Sequence, residues 1–192
     1  MIPEVEATVA RIAAERVRFE AFCRSLSAEE LGRPVPQSGW IVKDFVSHLA
    51  TIDGPIGAWF AAIADGGAAP GLGGAAWDVD RFNDAQVAAR REQSLDAIFA
   101  EAATERAALV AVMARLTEAQ VGGSIQFGGD AKRPPAAIPL ARYLQGWARH
   151  DAIHVADMLK ALPERREDAT IAAWLAEPEV GAIVGVYQQA MA

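Results

Sequence analysis

The sequence predicts an all-α fold: a four-helix bundle followed by short C-terminal helices. Three observations carry that reading. Apolar residues recur at three- and four-residue steps through four long segments, the spacing of one helix face. Alanine inflates the hydrophobic fraction of 52%, and alanine is the strongest helix former. No segment shows the sustained two-residue alternation of a half-buried strand. A chain of 192 residues suits a single domain over residues 1–192, with a core over about 3–161 and an extension over about 162–192.

The first helix is expected over about residues 3–26. Its stripe is Ile2, Val5, Val9, Ile12, Phe19, Phe22 and Leu26, with a gap around Arg16. Pro3 suits a first helical turn, where its missing N–H costs nothing. Ser27-Ala28-Glu29-Glu30 reads as a capping box opening a short helical turn. Pro34 and Pro36 then enforce an extended linker that ends near Ser38-Gly39. The second helix is expected over about 41–64, with Ile41, Phe45, His48, Leu49, Ile52, Ile56 and Trp59 facing inward. Pro55 cannot donate to the Thr51 carbonyl, so a kink is expected one to two turns after His48.

Residues 65–76 are rich in glycine and read as a mobile loop. The third helix is expected over about 79–116, with room for a break near Glu92 to Ser94. Its stripe is Leu95, Ile98, Ala102, Leu109, Val112, Met113 and Leu116. Residues 120–138 carry Gly122, Gly123, Gly128, Gly129, Pro134 and Pro135, a loop with room for one short strand pair. The fourth helix is expected over about 139–161, ended by Pro163, with Leu140, Tyr143, Trp147, His150, His154 and Met158 on one stripe. Two shorter helices, about 168–176 and 178–191, complete the chain.

The totals exclude several classes of partner. A net charge of −7 and a pI near 5.0 argue against nucleic-acid binding, which calls for a basic face. The single cysteine, Cys23, allows no intrachain disulfide and fits a reducing, cytoplasmic compartment. Glu4 and Glu6 stand where a signal peptide would be basic and then apolar. No apolar run reaches the roughly 18 to 20 residues that cross a bilayer, so no membrane partner is expected. Symmetry preferences alone make a homodimer the default assembly.

The chemistry is concentrated in the histidines. The chain has three, His48, His150 and His154, all on stripes expected to face the core. His150 and His154 form an H-x-x-x-H pair, and an i, i+4 spacing stacks two imidazoles on one helix face. A lone core histidine is usually just a hydrogen-bonded packing residue. Three with no others anywhere are harder to explain so, because each buried ring nitrogen needs a partner and a shared ion supplies one. The expected ligand set for one divalent ion, zinc or nickel foremost, is therefore His48, His150 and His154. Three protein ligands leave coordination positions open, as catalytic sites do. No H-E-x-x-H is present, which removes a zincin-type protease. Cys23 sits on the inward stripe beside Phe22 and reads as a structural thiol.

Three further residues are candidates for supporting or lining the site. Asp44 lies one turn before His48, placed either to orient its imidazole or to complement the helix dipole. Trp147, one turn before His150, is placed to wall a substrate pocket or to pack in the core. Asp151 projects about 100° from His150, toward another helix rather than the ion. Asp157 reads as solvated, and Arg142 and Arg149 as surface groups that can attract an anion.

Gly39-Trp40-Ile41-Val42-Lys43-Asp44-Phe45-Val46-Ser47-His48-Leu49-Ala50 resembles the G-W-x-V-K-D-x-x-x-H-L-A signature of the DinB-like superfamily. The related mycothiol-dependent maleylpyruvate isomerase N-terminal domain shares that signature. Arg81-Phe82-Asn83-Asp84, then Arg91 and Ser94, resembles the opening of the third helix in those proteins, and Trp147 to Leu159 resembles the fourth. The resemblance spans about residues 3–161. It implies a bundle of up-down-down-up topology with His48, His150 and His154 as the metal triad. It departs at His150, where the mycothiol isomerase pattern has a glutamate, and at Ile41, where a capping Ser or Thr is usual; here the cap falls to Ser38 or to water.

The resemblance implies a metal-dependent enzyme that uses a low-molecular-weight thiol and acts on a small-molecule substrate, as a transferase or isomerase. An ion held by neutral imidazoles keeps its charge and lowers the pKa of a bound thiol. The alternative expectations are a hydrolase using metal-bound water and a non-enzymatic stress protein that binds metal or a small ligand.

Overall fold

The protein is described here from a computed structural model, which describes residues 1–67, 78–128 and 134–191. Its elements follow the expected order: α1 (Pro3–Arg24), α2 (Ala28–Leu31), α3 (Val42–Thr51), α4 (Asp53–Ala64), α5 (Val79–Ala88), α6 (Leu95–Met113) and α7 (Glu118–Val121). A two-stranded antiparallel ribbon follows, β1 (Ser124–Phe127) against β2 (Ala136–Pro139), with Ile125 opposite Ile138. Then come α8 (Leu140–Trp147), α9 (His150–Met158), a 3-10 turn (Pro163–Glu167), α10 (Ala169–Leu175) and α11 (Pro178–Met191). The fold is all-α, and the ribbon is the only sheet among the described residues. The loop expected over 65–76 falls mostly on residues outside those described.

The first long expected helix is continuous as α1, whereas the other three are each interrupted at a definable place. The second divides at Ile52 into α3 and α4. Pro55 therefore lies in the first turn of α4, where a missing N–H does no harm. The third divides across residues 89–94, and Ser94 caps α6 by accepting from the Ala97 N–H at 3.2 Å. The fourth divides at Ala148-Arg149, a break the periodicity did not predict. There the Arg149 N–H turns to the Gly146 carbonyl at 3.0 Å. The Gln145 carbonyl takes the Arg149 guanidinium instead, at 2.8 Å. The side chain thus satisfies an acceptor that the backbone leaves.

The expected capping box is present: Ser27 Oγ accepts from the Glu30 N–H at 3.2 Å, and Glu30 returns to the Ser27 N–H at 2.8 Å. The linker folds back on itself, with Val35 N–H donating to the Trp40 carbonyl at 2.7 Å and Val42 N–H to the Arg33 carbonyl at 3.0 Å. Gly39 turns this loop at φ +75°, a left-handed conformation that a Cβ disfavours. Ser38 caps the loop rather than the helix, accepting from the Trp40 N–H at 3.1 Å.

Two helices are buried on nearly every face. Every residue of α9 after His150 is buried, as is all of α3 except Lys43, rather than the single stripe expected for each. The reason is their neighbours: α3 packs against α4, α5, α6 and α9, and α9 packs against α1, α3, α10 and α11. These two central helices carry all three histidines.

The apolar interior falls into two clusters. One gathers Phe19, Phe45, Leu49, Ile98, Met158 and Trp174; the other gathers Ile12, Phe60, Leu109, Met113 and Leu144. A polar layer crosses the bundle between them. Arg16 lies between Ile12 and Phe19 on α1, and its guanidinium clamps Asp151 at 2.8 and 3.0 Å. Arg106, between Ala102 and Leu109 on α6, pairs with Asp53 and lies 3.7 Å from Asp151. The gap around Arg16 in the first helix's stripe is this layer.

The C-terminal residues join the core. Ile171, Trp174 and Val180 belong to the first cluster, and Trp174 donates its indole N–H to buried Glu15 at 2.6 Å. Glu177 pairs with Arg11 and Arg18 on α1, and Glu179 pairs with Arg149. No single helix among the described residues is long and apolar enough to cross a membrane; α10 and α11 reach that length only together, across a 78° bend.

Candidate metal centre

The structure brings His48, His150 and His154 to one point. One ligand-capable nitrogen from each lies within 4.8 Å of the others. The ring centroids are 4.6 Å apart for His150 and His154, 4.9 Å for His48 and His154, and 5.4 Å for His48 and His150. The Nε2 atoms of His150 and His154 are 3.0 Å apart. Tetrahedral zinc with bonds of about 2.0–2.1 Å sets its ligand nitrogens about 3.3 Å apart, so this pair stands within a few tenths of an ångström of that separation.

Helix geometry explains the convergence. His150 opens α9 and His154 stands one turn later on the same face, while His48 comes from α3, packed alongside. His154 is oriented from behind. Its Nδ1–H donates to Asp157 Oδ2 at 3.1 Å, which leaves the Nε2 lone pair directed toward His150. Asp157 also accepts from Lys160 Nζ at 2.7 Å. Burial pushes the Asp157 carboxyl up, but the hydrogen bond from His154 and the Lys160 charge outweigh it and hold the group below its ordinary range. The solvated role expected for Asp157 is thus corrected: it is a buried partner of a central histidine.

The other two imidazoles are neutral bases. Burial pushes His48 and His150 well below the ordinary histidine range, and the neighbouring histidine charges add to the effect. Their Nδ1 atoms are buried and unpartnered. Three converging imidazoles, two of them kept neutral by burial, form a donor set that fits a divalent ion.

Aromatic rings line the centre. Trp147 stacks on His150 at 4.6 Å and 24°, with Tyr143 stacked behind it at 6.1 Å. Trp40 lies 5.4 Å from His48, and Phe45 lies 5.4 Å from His154. Tyr187, on the C-terminal helix α11, approaches His154 edge-on at 5.9 Å. His150, Trp147, Trp40 and Tyr187 are half-buried, whereas His48 and His154 are buried, so the centre opens on the side of those rings.

The remaining sequence candidates lie elsewhere in the network. Asp44 makes no hydrogen bond to His48. It accepts from the Ile41 N–H at 3.1 Å, supplying the cap that Ile41 cannot, and pairs with Arg91 at 3.1 Å. Asp151 faces away from the histidines into the polar layer. Arg149, expected at the surface, is buried and engaged with Gln145 and Glu179, while Arg142 is exposed. Trp40, Asp157 and Tyr187 all lie against the central histidines and were not among the site candidates; only the i, i+3 spacing of His154 and Asp157 offered a signal.

Residues 12–144 match the family described as the mycothiol maleylpyruvate isomerase N-terminal domain. The chain belongs to that family, one of the DinB-like helical bundles. Among solved structures it is similar to the mycothiol-dependent maleylpyruvate isomerase, at 15% identity and a TM-score of 0.60, covering 82% of this chain and 61% of that one. A histidine-to-alanine variant of that enzyme matches at 13% identity and a TM-score of 0.58, with the same coverage of 82% and 61%. At such identities the likeness is one of fold, and the chain spans about three fifths of the length of those proteins. No curated protein matches it significantly.

Proposed function

We propose that the protein is a divalent-metal-dependent enzyme that uses a low-molecular-weight thiol to transfer or isomerise a small-molecule electrophile. The observation that carries this reading is the convergence of His48, His150 and His154 within 4.8 Å. A bound zinc or nickel ion would supply a Lewis acid that lowers the pKa of a coordinated thiol, so that thiolate forms at neutral pH. His48, His150 and His154 would hold it as neutral donors and leave its charge undiminished. Asp157 keeps His154 in the tautomer whose Nε2 can bind. The half-buried faces of Trp147, Trp40 and Tyr187 border the approach and would exclude water from the reacting groups.

Two facts favour an external thiol over a residue of the chain. Cys23 is fully buried, and burial pushes its thiol well above the ordinary range, which makes it a poor nucleophile. The family's named member and the solved relatives are mycothiol-dependent, which supports the same class of cosubstrate here. His150 stands where the isomerase pattern has a glutamate, so that enzyme's particular activity is not what is proposed here.

The test is turnover of zinc- or nickel-loaded protein against a panel of thiols and electrophiles. Activity should require added thiol, saturate with it, survive Cys23→Ser nearly intact, and vanish in His48→Ala. Equal hydrolysis of esters or amides with no thiol present would replace this reading with that of a hydrolase.

A further inference from the structure

Each central histidine can be asked what holds its ring. Asp157 holds His154 through Nδ1, and the Trp147 face lies against His150. His48 Nδ1 is buried with no hydrogen bond. Helix α5 packs against α3, which carries His48, and on α5 the Asn83 side chain is buried with its Oδ1 likewise unpartnered. A buried amide oxygen without a donor and a buried ring nitrogen without an acceptor are each unfavourable, and one hydrogen bond satisfies both. Asparagine is also a poor helix former, so packing alone gives no reason for it within α5. The next residue serves the same ligand from outside: Asp84 accepts the Trp40 indole N–H at 2.9 Å, and Trp40 lies over His48.

We propose that Asn83 is the positioning residue of His48: its Oδ1 accepts the Nδ1–H, fixing the tautomer and ring angle that turn the Nε2 lone pair toward the point shared with His150 and His154. The pairing differs from that of His154 in one useful way. A carboxylate behind each ligand would cancel the charge of a divalent ion, whereas an amide orients the ring and leaves that charge in place. The consequence for metal affinity rests on the function proposed above; the hydrogen bond itself does not.

The experiment therefore reads both. In metal-free wild-type protein, the side-chain carbon and nitrogen NMR shifts of His48 should report the Nδ1–H tautomer, and an Nε2–H tautomer would overturn the proposal without any variant. In Asn83→Leu, which keeps the bulk and removes the acceptor, the tautomers should mix. Zinc affinity, measured by competition with a chromophoric chelator, should fall about 10- to 100-fold. Asn83→Asp keeps an acceptor and should bind zinc at least as tightly as wild type. Equal affinity in wild type and Asn83→Leu, or an Asn83→Asp protein as weak as Asn83→Leu, contradicts the assignment. If wild type takes up no zinc while His48 keeps the Nδ1–H tautomer and loses it in Asn83→Leu, the metal reading fails and this hydrogen bond stands.

Discussion

Asp157 shows how one side chain sets the chemistry of its neighbour. By accepting from His154 Nδ1, it selects the tautomer and prevents the ring from turning its lone pair away from His150. Asp157→Ala should weaken metal binding about 10- to 100-fold, as loss of such partners does elsewhere; a chelator competition titration measures it, and an unchanged affinity would remove Asp157 from the site. The neutral state of His48 and His150 has a consequence for stability. Their folded pKa values lie well below the unfolded value of 6.5, so between the two the unfolded chain binds more protons. Stability of the metal-free protein is therefore full above about pH 6.5 and declines as pH falls, by up to about 1.4 kcal/mol per pH unit for each histidine. Urea unfolding from pH 8 to pH 5 should show this slope, reduced in His48→Ala; a flat profile contradicts it. The triad could be read from the sequence because an i, i+4 pair leaves few other arrangements. Asp157 and Asn83 could not, since nothing in a polar residue's spacing tells which helix it will meet.

At the scale of elements, the polar layer is what the periodicity could not resolve. A missing apolar residue at Arg16 reads as a gap, yet the gap is filled by an ion pair with Asp151 on a helix distant in sequence. Breaking one side of a buried pair strands the other charge, and Asp151→Ala should cost about 3–5 kcal/mol. A joint Arg16→Met and Asp151→Leu replacement removes both charges and should cost much less. Denaturant titration of the two variants separates the cases, and equal losses would mean packing, not charge, governs the layer. Helix breaks divide the same way. Pro55 announces the α3–α4 division because proline removes a donor, whereas the division at Arg149 depends on a guanidinium reaching back to Gln145, a tertiary choice that sequence periodicity does not encode.

For the whole molecule, the residues after the fourth helix matter more than an appendage would. Trp174 fills the first apolar cluster and is the hydrogen-bond donor to buried Glu15, while α11 brings Tyr187 against His154. Trp174→Ala should cost about 3–5 kcal/mol from lost packing alone, before the stranded carboxylate is counted. A loss below about 1 kcal/mol in urea would show that the bundle closes without it. The central claim, however, is that His48, His150 and His154 share one divalent ion. Elemental analysis of protein purified without an affinity tag tests it most directly. The account predicts about one zinc or nickel ion per chain in the wild type and near-complete loss in His150→Ala and His154→Ala. Occupancy unchanged in those two variants would place the ion elsewhere and contradict the account.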